Sequence, residues 1–232
     1  MIYRLRPSAA LLACLAFVVV VGCGGSSRKP LTKAQATVLA GEVNLKAADL
    51  PGFTGAPERT SSSDRRLAAQ LASCAGGVDP SKAVADVESE GFSHGSGLQS
   101  QQVSSDVTVM PSSALAKQDL TAIKSSRGQG CIVSFVNRLL AGLSSGRVKL
   151  GGVTLSPLPP SSPGADGSFG YRFTATATAG EARIPFYVDI QGFVLGPTQV
   201  QLLVLSVGQP FSAAEEQRLY TLLVTRAKAH PA

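Results

Sequence analysis

The stretch IPFYVDIQGFVLGPTQVQLLVLSV, residues 184–207, decides the architecture. Its first part alternates. Ile184, Phe186, Val188 and Ile190 share one side of an extended chain, because successive side chains of a strand point to opposite faces. Asp189 falls between them and is expected on the solvent side. Gly196-Pro197 is a turn signal. Beyond it, Leu202-Leu203-Val204-Leu205 is apolar on both sides, the pattern of a strand covered on both faces. Residues 200–207 are therefore expected at the centre of a sheet. A short turn between two such runs makes their pairing antiparallel.

Working outward, Phe169, Tyr171 and Phe173 mark a third strand. A proline-rich loop separates it from a strand through Val148, Leu150, Val153 and Leu155, bulged at Gly151-Gly152. Val103, Val107 and Val109 alternate with Ser104, Asp106 and Thr108 in another half-buried strand. Helical patterns fill much of the rest. Thr32 and Gln35 have capping-box spacing before a helix reaching Val43, with Val38 and Leu39 toward the core. Asp64 is placed to cap a helix whose stripe is Leu67, Leu71 and Cys74. Ser112 caps a helix ending near Ser126, and Gly128-Gln129-Gly130 is expected to break it. From Cys131, Ile132, Phe135, Val136, Leu139, Leu140 and Leu143 recur at helical spacing. Ser212 and Glu215 form a second capping box before Leu219, Leu222 and Leu223. Residues 84–90 read as polar or helical and 91–100 as irregular. The result is an α+β domain, a largely antiparallel sheet of about five strands with helices packed on at least one face.

The N-terminus carries an address. Arg4 and Arg6 precede an apolar run over residues 9–22, which is too short for the roughly 20 residues a spanning helix needs. The run closes on Val20-Val21-Gly22-Cys23, which resembles the lipobox of bacterial lipoproteins. That resemblance implies cleavage before Cys23 and acylation of its thiol, anchoring the protein to the cell membrane on its extracytoplasmic face. The expected divisions are a signal peptide over 1–22, a lipidated flexible tether over 23–31, and one domain over 32–232. Cleavage removes two arginines and no acid, so the net charge falls from +6 to +4. The positive charge is spread out, and Arg65-Arg66 is the only adjacent arginine pair. With no basic patch interleaved with aromatics, nucleic acid is not an expected partner.

Four cysteines reduce to two in the mature chain. Cys14 leaves with the signal and Cys23 takes the lipid, so Cys74 and Cys131 are expected to pair in a compartment that permits disulfides. No catalytic residues are assigned. Gly91-Phe92-Ser93-His94-Gly95 matches G-x-S-x-G, but a nucleophile elbow needs a buried strand before the serine and a helix after it. The one later histidine is His230, beside the C-terminus. Glu88 and Glu90 do not align on a helix, and Glu215 and Glu216 suit a first helical turn without any chemistry. Two histidines supply no metal-ligand cluster, and no cofactor is implied. Tyr171, Tyr187 and Phe193 read as core or sheet-face residues.

Ala48-Asp49-Leu50-Pro51-Gly52-Phe53 resembles the ADLPG segment of small actinobacterial envelope lipoproteins. The order of elements over residues 40–228 resembles the extracellular sensor domain of PknH-type serine/threonine kinases, and is similar to the broader layout of Mog1/PsbP-like lipoproteins. PknH-type domains carry two disulfides where this chain has cysteines for one. The resemblance implies a non-enzymatic module with a ligand-binding cleft, and it transfers no ligand residues. The expected function is a membrane-anchored, non-catalytic, sensor-like domain that binds a small ligand or an envelope protein. The alternatives are an accessory subunit docking onto an envelope enzyme or transporter, and an envelope hydrolase, which requires a cleft with perturbed carboxylates.

Overall fold

The computed structural model describes residues 30–57, 61–143, 149–158 and 162–232. The signal segment, Cys23 and most of the tether lie outside them. The domain is α+β, as the residue pattern indicates, and its sheet is antiparallel throughout the described pairings.

Among the described residues nine strands form the sheet rather than about five. In chain order they are β1 (Thr54–Ala56), β2 (Ala85–Glu88), β3 (Gly91–His94), β4 (Gln101–Val109), β5 (Lys149–Leu150), β6 (Thr154–Pro157), β7 (Gly167–Ala179), β8 (Ala182–Leu195) and β9 (Thr198–Val207). The spatial order is β1-β3-β4-β9-β8-β7-β5, with β2 also on β4 and β6 also on β7. The difference from sequence lies at the edges. The segments 84–90 and 91–100, read as helical and irregular, supply β2 and β3, which pair successively along one edge of β4. The serine pair Ser89 and Ser105 bridges their junction: Ser89 N donates to the Ser105 carbonyl at 2.8 Å, and Ser105 N to Ser89 Oγ at 2.9 Å. The bulge expected at Gly151-Gly152 divides β5 from β6 on β7.

The five α-helices among the described residues are α1 (Lys33–Val43), α2 (Ser62–Ala75), α3 (Ser113–Lys124), α4 (Ser126–Leu143) and α5 (Ala213–Ala229). Thr32 caps α1 in a full capping box with Gln35. Ser212 caps α5 through Glu215 N at 3.4 Å, but the Glu215 carboxylate turns to Arg218 instead of completing the box. Helix α2 begins two residues before Asp64. The break expected at Gly128–Gly130 falls instead at Ser125, between α3 and α4. A Cβ on Gly128 would sit 2.1 Å from the Ala122 carbonyl oxygen, so this glycine permits the tight turn between helices rather than ending one.

Helices cover both faces of the sheet. On one, α1 and α5 pack Ala40, Val43, Leu219, Tyr220 and Leu223 onto Val103, Val107, Val200, Leu202 and Val204. The small residues Ala36 and Ala40 bring α1 close to the strands, and Val38 turns outward, 67% exposed, against the expected inward orientation. On the other face, α2, α3 and α4 stand over β7, β8 and β9. Strand β9 is apolar on both sides for two different reasons. Leu202 and Val204 are buried under α1 and α5, whereas Leu203 and Leu205 are half-buried on the opposite face.

Candidate ligand-binding cleft

Helices α2 and α4 do not close completely on the sheet. Between them and strands β4, β8 and β9 lies a cleft of about 660 Å³. This is within the size range of small-molecule sites, roughly 300–1,000 Å³. Leu203, Leu205, Val188 and Ile190 form its floor, and Leu71 of α2 with Ile132, Phe135 and Val136 of α4 form the facing wall. Two smaller hollows of about 260 and 140 Å³ adjoin it. All three share Asp106 and Gln201, which are cross-strand partners in β4 and β9.

Alternation along β4 explains why Asp106 is there. Val103, Ser105 and Val107 turn to the α1–α5 core, so Ser104, Asp106 and Thr108 must turn to the cleft. Asp106 Oδ1 is buried and has no hydrogen-bond partner, while Oδ2 accepts from Thr108 Oγ1 at 3.4 Å. Thr108 donates better to Asp86 Oδ1, at 2.8 Å. Asp86 and Glu88 stand opposite Thr108 and Asp106 across the β2–β4 pairing. Burial pushes the Asp106 carboxyl well above the usual carboxylate range, and the charges of Asp86 and Glu88 push it further. A hydrogen bond with the Asp86 carboxylate acts in the same direction, and Thr108 opposes weakly. Asp119 of α3 reaches the smaller hollows, where it accepts from Val78 N at 3.0 Å and Gln199 Nε2 at 3.3 Å.

Cys74 and Cys131 are joined by a disulfide with their Cα atoms 5.9 Å apart. It ties α2 to α4 and thereby holds the helical wall together. Cys74 is exposed rather than on a buried stripe, because α2 lies at the outer side of α4 and Leu67 and Leu71 are its inward residues.

Other sequence landmarks have structural roles. In the ADLPG segment, Asp49 makes a paired contact with Arg226 of α5 at 2.7 and 2.8 Å, Leu50 enters the core, and Gly52 takes φ +87° in the turn. Burial raises the Asp49 carboxyl, but its bonds to Arg226 and Lys46 N outweigh that and leave it lowered. In the G-x-S-x-G segment, Ser93 lies exposed on β3, followed by a turn instead of a helix. His94 hydrogen-bonds the Gly52 carbonyl at 2.9 Å and leans on Phe53. Tyr171 and Phe193 are buried, and Tyr187 is half-buried on β8.

Asp189 corrects the sequence reading. It is 1% exposed, on the face covered by α5, and not in solvent. Arg172 of β7 grips it at 2.7 and 2.6 Å and reaches Glu216 of α5 at 3.8 Å. Gln191 also donates to Glu216. Burial, then the Asp189 charge, raises the Glu216 carboxyl to about 7. Strand alternation located Asp189 opposite its apolar neighbours but could not show that a helix would cover that face.

Among the described residues no group of three or more His, Cys, Asp or Glu is arranged to hold a metal ion, and no helix is long and apolar enough to cross a membrane. No family model matches the chain, and no curated protein matches it either. Among solved structures, the chain is similar to the extracellular domain of PknH from Mycobacterium tuberculosis, with a TM-score of 0.46 and 10% identity over 86% of this chain and 98% of that one.

Proposed function

We propose that the chain is a lipid-anchored protein of the cell envelope, held at Cys23 on the extracytoplasmic side, whose domain binds a ligand in the cleft without transforming it. The observation that carries this reading is the apolar cleft with one buried, unpartnered carboxyl oxygen at Asp106. Apolar walls supply affinity, and a convergent polar group supplies orientation, which is the usual division of labour in a binding pocket. The lipobox and the disulfide support the location. Native mass spectrometry of protein extracted from membranes tests the whole reading. The expected result is a lipid-modified, disulfide-bonded chain with a retained small molecule that Leu203→Arg displaces. An empty cleft in every preparation, with a stoichiometric protein crosslinked in the membrane, would favour the accessory-subunit reading instead.

A second reading rests on the Asp86–Asp106 pair. A buried carboxyl whose pKa is raised beside a second carboxyl is acid–base equipment, so a hydrolase has a specific observation behind it. The arrangement of acids argues for binding instead. Asp86, Glu88 and Asp106 come from two adjacent strands and share one side of the cleft, facing apolar helices. Glycoside hydrolysis requires carboxyls that flank the bond being cut. Turnover of a glycoside or ester substrate, lost in Asp106→Asn, would establish the second reading.

A further inference from the structure

We propose that the cleft selects a cationic amphiphile, with its apolar body against α2, α4 and the β8–β9 floor and a single ammonium group against the Asp106 carboxyl. This rests on the binding reading above and specifies its occupant. The mature chain would carry a net charge of +4, yet among the described residues the three adjoining hollows are lined by Asp86, Glu88, Asp106 and Asp119 and by no lysine, arginine or histidine. A carboxylate or phosphate head would meet like charge in a low-dielectric site. A neutral head would leave the acids as they are. An ammonium group supplies the donor that Asp106 Oδ1 lacks and brings a charge of the sign that the neighbouring acids attract.

The proton balance follows from the surroundings of Asp106. Facing it are Asp86 and Glu88 from β2, the uncharged Gln201 from β9, and Asp119 from α3 across the smaller hollow. The helical wall adds Leu71, Ile132, Phe135 and Val136, which carry no charge. Burial and the two neighbouring acids favour the protonated Asp106 in the empty cleft. An entering ammonium ion reverses that preference. Asp106 therefore gives its proton to solvent as the ligand binds, and the ion pair forms without change to the ligand. Affinity for the cation should rise with pH, by up to tenfold per unit below the Asp106 pKa, while affinity for a neutral homologue stays flat.

The test uses the full-length protein in neutral phosphatidylcholine nanodiscs, with empty discs as blank. Octylammonium, 1-octanol and octanoate are titrated calorimetrically in two buffers of different ionisation enthalpy. Octylammonium is expected to bind about tenfold or more tightly than octanol, the scale of a charge-assisted hydrogen bond, with octanoate weakest. About one proton should be released per cation bound on the acid side of the profile. Asp106→Asn should remove the advantage of the cation over octanol and its pH dependence. The three-probe series on the unaltered protein decides the matter even if that variant does not fold. Octanol or octanoate binding as well as octylammonium overturns the charge selectivity and leaves the cleft reading intact. No binding of any of the three overturns both.

Discussion

Asp189 is an almost fully buried acid on the face covered by α5. Its carboxylate is buried against α5 and compensated by Arg172. Arg172→Met should cost about 3 kcal/mol in denaturant unfolding, because the remaining charge is buried without its partner. Adding Asp189→Asn should recover much of that loss. Glu216 makes stability depend on pH. Its folded value near 7 lies above its ordinary 4.5, so between those values the native state holds a proton that the unfolded chain has released. Stability from this group is therefore greatest at and below the lower value, falls as pH rises toward 7, and levels off above it. Asp106 acts with the same sign. Urea midpoints of Glu216→Gln at pH 5 and pH 8 should differ less than those of the parent. A parent whose midpoint rose across that interval would contradict the assignment. Asp189 was visible in the sequence as an alternating position, but its partners Arg172 and Glu216 are 17 and 27 residues away, beyond any local pattern.

Elements differed in how far sequence revealed them, and length is the reason. The long strands β4, β7, β8 and β9 and the caps of α1, α3 and α5 were legible, because each repeats its signal over many residues or fixes it by a specific cap. Strands β1, β2 and β3 span three or four residues each and carry glycine, serine or acidic side chains, so their pairing with neighbours defines them more than their composition does. Gly128 misled for a similar reason: low helix propensity was outweighed by the packing of α3 against α4. Gly128→Ala should destabilise by about 1–3 kcal/mol, since the obstacle is a backbone oxygen that cannot rotate away. The disulfide acts on the same wall. It spans a sequence separation of 57, for which the chain-entropy account gives about 4 kcal/mol. In Cys74→Ser/Cys131→Ser, amide exchange over Ser62–Ala75 should accelerate far more than over β8 and β9, because α2 packs on α4 and not on the sheet's central strands.

For the whole molecule, the sequence indicated the α+β class and the candidate address, whereas the cleft required coordinates. Its floor, wall and carboxyl come from β4, β8, β9, α2 and α4, and no contiguous segment contains them. The proposed anchor gives a cellular prediction. Cys23→Ser should move the protein from the membrane to the soluble fraction and abolish labelling by an alkyne palmitate, with the fold of residues 32–232 unchanged by circular dichroism. Labelling that persisted in the variant would place the lipid elsewhere.

Strand β9 has a consequence for how such a protein diversifies. Leu202 and Val204 pack into the α1–α5 core, while Leu203 and Leu205 line the cleft floor, where the proposed ligand would lie. Substitution at 203 or 205 can retune what is recognised at small structural expense, and substitution at 202 or 204 would collapse the domain first. One eight-residue run thus serves two purposes, interleaved residue by residue: holding the protein up and, on the proposed reading, shaping what it can hold.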